Sequence, residues 1–120
     1  MKLSDYVAQK AVENGVKHVF MVTGGGAMHL NHSFGTHKDL ECIFNHHEQA
    51  CAIGAEAYYR QSNRLPIVNV TSGPGGTNTI TGVYGAWVDS IAMLVISGQV
   101  KWETTVRSTG LSLRQYGDQE

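Results

Sequence analysis

No part of this chain offers the roughly 18 to 20 consecutive apolar residues that a membrane helix needs. The first residues, Met1-Lys2-Leu3-Ser4-Asp5, also lack the apolar stretch of a signal peptide. Cysteine is scarce: Cys42 and Cys51 are the two present, and they do not have metal-site spacing. Both read as reduced thiols of a cytoplasmic protein, Cys42 in a strand and Cys51 on a helix. Neither sign of charge is in excess. Nine Lys and Arg against ten Asp and Glu leave a formal net charge of -1, scattered rather than blocked. That balance argues against a nucleic-acid partner and against a basic membrane-binding helix. The 120 residues suffice for one small domain with one core.

Glycine is what the chain has in quantity. Its 14 glycines are clustered, with Gly24-Gly25-Gly26 and Gly73, Gly75, Gly76 just after predicted strands. Clusters there suggest either tight turns or close approach of backbone to a ligand. The turn from Ser72 to Asn78 resembles a phosphate cradle at a helix N-terminus. It lacks the Lys and Ser/Thr of a P-loop. Gly24-Gly25-Gly26-Ala27-Met28-His29 begins like a dinucleotide fingerprint, but His29 replaces its third glycine. Asn45 is not the acidic residue that would bind a ribose.

The apolar pattern alternates strands and helices. Ser4 is a suitable N-cap for a first helix that Gly15 would end, with Leu3, Val7, Ala11 and Val12 as its buried stripe. Strands are expected at His18–Val22, Leu40–Phe44, Ile67–Val70 and Ala92–Ile96. Helices are expected at Ala27–Phe34, His46–Gln61 and Asn78–Val88. This order predicts an α/β fold, a parallel sheet with crossover helices. Lys101 to Glu120 reads as a long polar loop with no element after it, so the chain is expected to stop before its domain is complete.

Glu48 is the candidate functional carboxylate. One reading makes it a helix cap: Asn45 as N-cap and Glu48 as third helical residue approximate a capping box. The other makes it chemical. Its neighbours His47, Gln49 and Ala50 to Ile53 are poor in cations, so burial would raise its pKa and let it hold a proton near neutrality. After it, the small residues Ala50, Gly54 and Ala57, with Ala55 beside them, suit either packing on this sheet or a two-fold contact with a second copy. Six histidines, among them His29, His32, His46 and His47, form no recognised zinc set, and no metal site is expected in this chain.

Six segments in order carry a resemblance. They are Val19-Phe20 through Gly24-Gly25-Gly26-Ala27, His47-Glu48-Gln49-Ala50, Thr71 to Asn78, Asp89-Ser90-Ile91, Ile96 to Val100, and Gln119-Glu120. Together they closely resemble the N-terminal pyrimidine-binding domain of thiamine diphosphate-dependent enzymes, in the acetolactate synthase and 2-oxoacid decarboxylase group. The resemblance covers nearly all of residues 1–120. It implies a three-layer open parallel sheet with helices on both faces. It also implies that Glu48 hydrogen-bonds N1′ of the cofactor's aminopyrimidine, favouring the imino tautomer that deprotonates thiazolium C2. The resulting C2 ylide attacks a 2-oxo acid, for decarboxylation or carboligation. Gly25 and Gly26 match the loop lining the active site, Pro74 and Asn78 match cofactor-binding positions, and Gln99 and Gln119 match glutamines near the substrate. Asp118 stands where the acetolactate branch usually has an aromatic residue. In the family the diphosphate and Mg²⁺ are bound by a separate domain through a Gly-Asp-Gly segment, which is not found here. The resemblance thus implies half of an active site, completed by another subunit of a homodimer or tetramer, with no turnover by these 120 residues alone. Two other classes stand beside it: a non-catalytic binding or assembly module in which Glu48 only caps a helix, and a nucleotide-binding α/β domain.

Overall fold

In the computed structural model, which describes residues 1–110, four short apolar runs become parallel strands. They are β1 (His18–Met21), β2 (Glu41–Phe44), β3 (Ile67–Val70) and β4 (Leu94–Ser97), in the order β2-β1-β3-β4. Val19 pairs with Cys42 on one side and Ile67 on the other, and Val68 pairs with Val95. Central β3 is buried along its whole length, as a parallel strand covered on both faces must be.

Side chains alternate across the sheet and divide the core in two. Helices α1 (Leu3–Glu13) and α2 (Met28–Thr36) cover one face, where Ala8, Ala11 and Phe34 meet Val19, Met21 and Ile67. Helix α3 (Glu48–Ser62) covers the other, where Cys51 and Ala55 meet Phe20, Val68 and Val70. Each large apolar side chain buried this way contributes about 1.5–3 kcal/mol. Beyond a short turn of helix, α4 (Pro74–Thr77), comes α5 (Ile80–Val88). It lies so near α3 that a Cβ on Gly82 would sit 2.5 Å from Ala52 Cβ. Arg60 on α3 pairs with Glu56 and with Asp89 at the end of α5. Helices therefore flank both faces, giving the three-layer α/β fold expected.

Several local expectations are corrected. Lys2, not Ser4, is the N-cap of α1, and its N–H donates to Asp5 Oδ2 at 3.3 Å. Ser4 points inward, its hydroxyl 2.8 Å from that of Ser33 on α2. The buried face of α1 is Ser4, Ala8 and Ala11, with Val7 packed beside them, while Leu3 is 78% exposed. Leu3 has the right spacing but starts the helix. Gly15, at φ +84°, does follow the helix end at Asn14.

Residues 101–110 are not one loop. A 3-10 turn (Trp102–Thr104) is followed by α6 (Val106–Thr109). Thr105 caps α6, its hydroxyl accepting the Ser108 N–H at 3.1 Å, and Gly110 in the left-handed region ends it. The rest of the expected loop, with Asp118 and Gln119, lies outside the described residues. Among the described residues no helix is long and apolar enough to cross a membrane.

Candidate functional site

The strand order determines where a ligand would go. From β1 the chain moves to β2 on one side, then returns to β3 on the other. The winding direction reverses between β1 and β3, and open α/β sheets bind ligands outside the strand C-termini at such a point. The loops after β1, β2 and β3 carry the three segments that the sequence singles out.

The loop after β2 delivers Glu48. His47 is the N-cap of α3, its Nδ1 accepting the Gln49 N–H at 3.1 Å. Glu48 is thus the first helical residue rather than the third. Asn45 is not the cap: its side chain faces Cys51 Sγ at 3.5 Å. An imidazole two residues before a free amide meets the capping need locally, so the expected capping box does not form. The Glu48 carboxylate reaches instead across the crevice, where Asn78 Nδ2 donates to Oε2 at 3.0 Å. Oε1 takes no hydrogen bond from the described residues and lies 3.8 Å from where a Cβ on Gly75 would be. Among the described residues no Lys or Arg pairs with this half-buried carboxylate.

Thr71, at the end of β3, joins the other two loops. Its hydroxyl accepts the Gly26 N–H at 3.0 Å. A Cβ on Gly24 would fall 2.5 Å from Thr71 Cβ, and one on Gly75 would fall 2.7 Å from its Cγ2. The glycines let two loops close over one threonine side chain. Gly98, after β4, supports the loop from behind, where a Cβ would meet the Gly26 carbonyl at 2.3 Å. Gly25 differs: nothing stands within 4 Å of a Cβ placed there. Sequence alone gives Thr71 no role beyond its segment; its place between an apolar strand and a glycine turn is the signal that marks it.

Within the Ser72 to Asn78 turn three amides are engaged by the turn itself. The amides of Gly75, Thr77 and Asn78 donate to Ser72, Gly73 and Pro74 carbonyls at 3.3, 3.0 and 2.8 Å. Pro74 is exposed in the first turn of α4. Gln99 lines a different space, a largely apolar groove of about 800 Å³ that includes Leu3, Val7, Gly26, Leu30 and Ile96 but not Glu48. Glu48, Asn78, Gly75 and Gly26 are therefore brought together around Thr71, and Gln99 lies off to the side of the Gly26 loop. Burial pushes the Cys51 thiol up, which keeps it protonated and unreactive near neutral pH. Among the described residues no three His, Cys, Asp or Glu side chains cluster as a metal site.

A lone carboxylate with one oxygen held and the other open, beside bare backbone, can share a proton with a nitrogen of a flat ring. The family described as "Thiamine pyrophosphate enzyme, N-terminal TPP binding domain" matches residues 1–119. The chain is 40% identical over 97 residues to the acetolactate synthase large subunit of Buchnera aphidicola subsp. Acyrthosiphon pisum, covering 81% of this chain and 17% of that protein. It is 38% identical over 97 residues to the large subunit from Lactococcus lactis subsp. lactis, and 37% to the isozyme 3 large subunit from Escherichia coli, with the same coverage. The chain thus spans 17% of the length of these relatives. With a parallel α/β sheet and a family match over nearly its whole length, this chain belongs to the thiamine pyrophosphate enzymes, as their N-terminal TPP-binding domain.

Proposed function

We propose that this chain supplies the pyrimidine-binding half of a thiamine diphosphate site in a larger, acetolactate synthase-like enzyme that decarboxylates or carboligates 2-oxo acids. The observation that carries this reading is Glu48: an unpaired carboxylate at the switch point, oriented by Asn78, with Oε1 open beside glycine backbone. The residues present fit an aminopyrimidine. A flat heterocycle needs close backbone approach, which Gly25 and Gly75 permit, and one carboxyl oxygen for a ring nitrogen. They do not fit a diphosphate, because the turn amides of Gly75, Thr77 and Asn78 are already used. The diphosphate and its Mg²⁺ are therefore assigned to a domain beyond these residues, from a second subunit of a homodimer or tetramer.

Bound thiamine diphosphate would supply the electron sink for cleaving or forming a bond next to the carbonyl of a 2-oxo acid. The chain's own residues do simpler work. Glu48 Oε1 holds a proton shared with the ring nitrogen. Asn78 keeps Oε2 occupied, so the carboxylate cannot rotate away. Thr71 and the glycines set the width of the slot, and Pro74 starts the short helix that carries Asn78. Gln99, with Gln119, belongs to the substrate side.

The test is Glu48→Gln in the full-length protein, assayed with thiamine diphosphate and Mg²⁺ against a panel of 2-oxo acids. Loss of a proton-transferring carboxyl should lower turnover by about 10²- to 10⁴-fold. Full activity in the variant would return Glu48 to a structural role at the start of α3 and overturn the reading. No turnover in the wild type, with cofactor binding unchanged in the variant, would favour a non-catalytic module.

A further inference from the structure

We propose that Asn69, buried in the middle of the sheet, is a positioning residue for the Gly24–Gly26 loop and acts on it through Asn31. Asn69 is 0% exposed on β3, between Val68 and Val70. Its Nδ2 donates to Asn31 Oδ1 on α2 at 2.7 Å. Asn31 Nδ2 in turn donates to the Gly24 carbonyl at 3.3 Å. The direction of this chain is forced from its far end. A carbonyl can only accept, so Asn31 must present its NH₂ to Gly24 and its oxygen to Asn69.

The arrangement leaves a cost in the core. Asn69 Oδ1 is buried with no hydrogen-bond partner among the described residues. An unpaired buried acceptor is destabilising, and an aliphatic side chain would avoid the penalty. What Asn69 supplies and an aliphatic residue does not is a donor that orients Asn31. The beneficiary is the Gly24 carbonyl, which also accepts the Ala27 N–H at 3.1 Å and so closes the turn that displays Gly25. The next amide, of Gly26, donates to Thr71 Oγ1. A polar line thus runs from the centre of the sheet to the loop at the switch point. Its effect on cofactor affinity rests on the thiamine diphosphate reading above; its effect on the loop does not.

The experiment compares wild type, Asn69→Leu, Asn69→Val and Asn31→Asp in the full-length protein without cofactor, by amide hydrogen exchange of residues 23–28. Loss of one amide–amide bond should speed exchange at Gly26 and Ala27 by roughly fivefold to tenfold. Asn31→Asp keeps an acceptor for Asn69 but sets a carboxylate oxygen against the Gly24 carbonyl, so the same acceleration is expected there. Val68→Ala is the packing control: it should lower the unfolding midpoint without this local acceleration. Folded Asn69 variants with unchanged exchange in the loop would overturn the proposal. If neither Asn69 variant folds, Asn31→Asp decides, and unchanged exchange in it is equally fatal. Half-saturation by thiamine diphosphate should also rise severalfold in the variants whose loop exchanges faster. Faster exchange with unchanged cofactor affinity would support the relay while removing this loop from the cofactor site. Failure of the thiamine diphosphate reading itself would appear separately, in Glu48→Gln.

Discussion

Two adjacent glycines at the switch point are glycine for different reasons, and the difference separates folding from function. A Cβ on Gly24 would collide with Thr71 at 2.5 Å, whereas one on Gly25 meets nothing within 4 Å. Gly24→Ala is expected to cost about 1–3 kcal/mol through overpacking, seen as a lower urea midpoint. Gly25→Ala should stay within about 0.5 kcal/mol of wild type, yet on the proposed reading weaken thiamine diphosphate binding severalfold in the full-length protein, because the added methyl would enter the cofactor slot. Unchanged affinity in Gly25→Ala, measured by calorimetry, would take Gly25 out of the site. Glu48 was legible as a candidate because it is a lone carboxylate beginning a helix just after an apolar strand. Its alternative role was not resolvable from spacing, since Asn45, His46 and His47 all compete to cap α3. The answer depends on which side chain meets the Gln49 amide, and that is His47. The Asn78–Glu48 bond joins residues 30 apart in sequence. No local pattern announces such a pair.

At the scale of elements, strands were the most legible. Four apolar runs separated by helical spacing leave a parallel sheet as the natural solution; the first three runs contain the strands observed, and β4 starts two residues later than expected and runs on to Ser97. Helix ends were less so. Ser4 looked like a cap because serine often is one, but it faces Ser33 in the interface between α1 and α2. The turns at 102–104 and 106–109 carry no apolar periodicity, so nothing in composition marked them. The interface of α1 and α2 gives a pH-dependent test. Ser33 Oγ donates to Asp5 Oδ1 at 2.7 Å, and this bond is the main cause holding the Asp5 carboxyl below its ordinary value of 3.8. A depressed folded pKa contributes stability above the unfolded value, which disappears as pH falls through the folded one. Ser33→Ala should therefore cost stability at pH 6, and its deficit should narrow below about pH 4 as Asp5 is protonated in both proteins. Urea titrations at several pH values check this. A deficit independent of pH would mean that Ser33 acts through Ser4 and packing alone.

At the scale of the whole molecule, the outer face of α3 and α5 is unlike a finished surface. Ile53, Ile80, Tyr84, Trp87 and Val88 are all exposed there, Trp87 by 80%. The small residues expected to make either an internal or a two-fold contact divide between the two sides. Gly54 packs inward, where a Cβ would meet Phe20 at 3.3 Å, while Ala50 and Ala57 stay exposed. Clustered exposed apolar side chains mark contact sites for protein, membrane or ligand, and the proposed assembly assigns this face to other protein. The proposed assembly would use such a contact, since on that reading the pyrimidine half-site is completed by another domain. Trp87→Glu places a charge in the middle of this face without touching the sheet core. It should shift the full-length protein toward smaller species in sedimentation velocity and reduce turnover in parallel. Dilution of wild type should mimic both effects, whereas Glu48→Gln should lose turnover with its assembly intact. A Trp87→Glu protein that keeps the wild-type sedimentation profile would show that α5 faces something other than a second copy. The shared active site of the proposed assembly would then have to be formed through another surface of this domain.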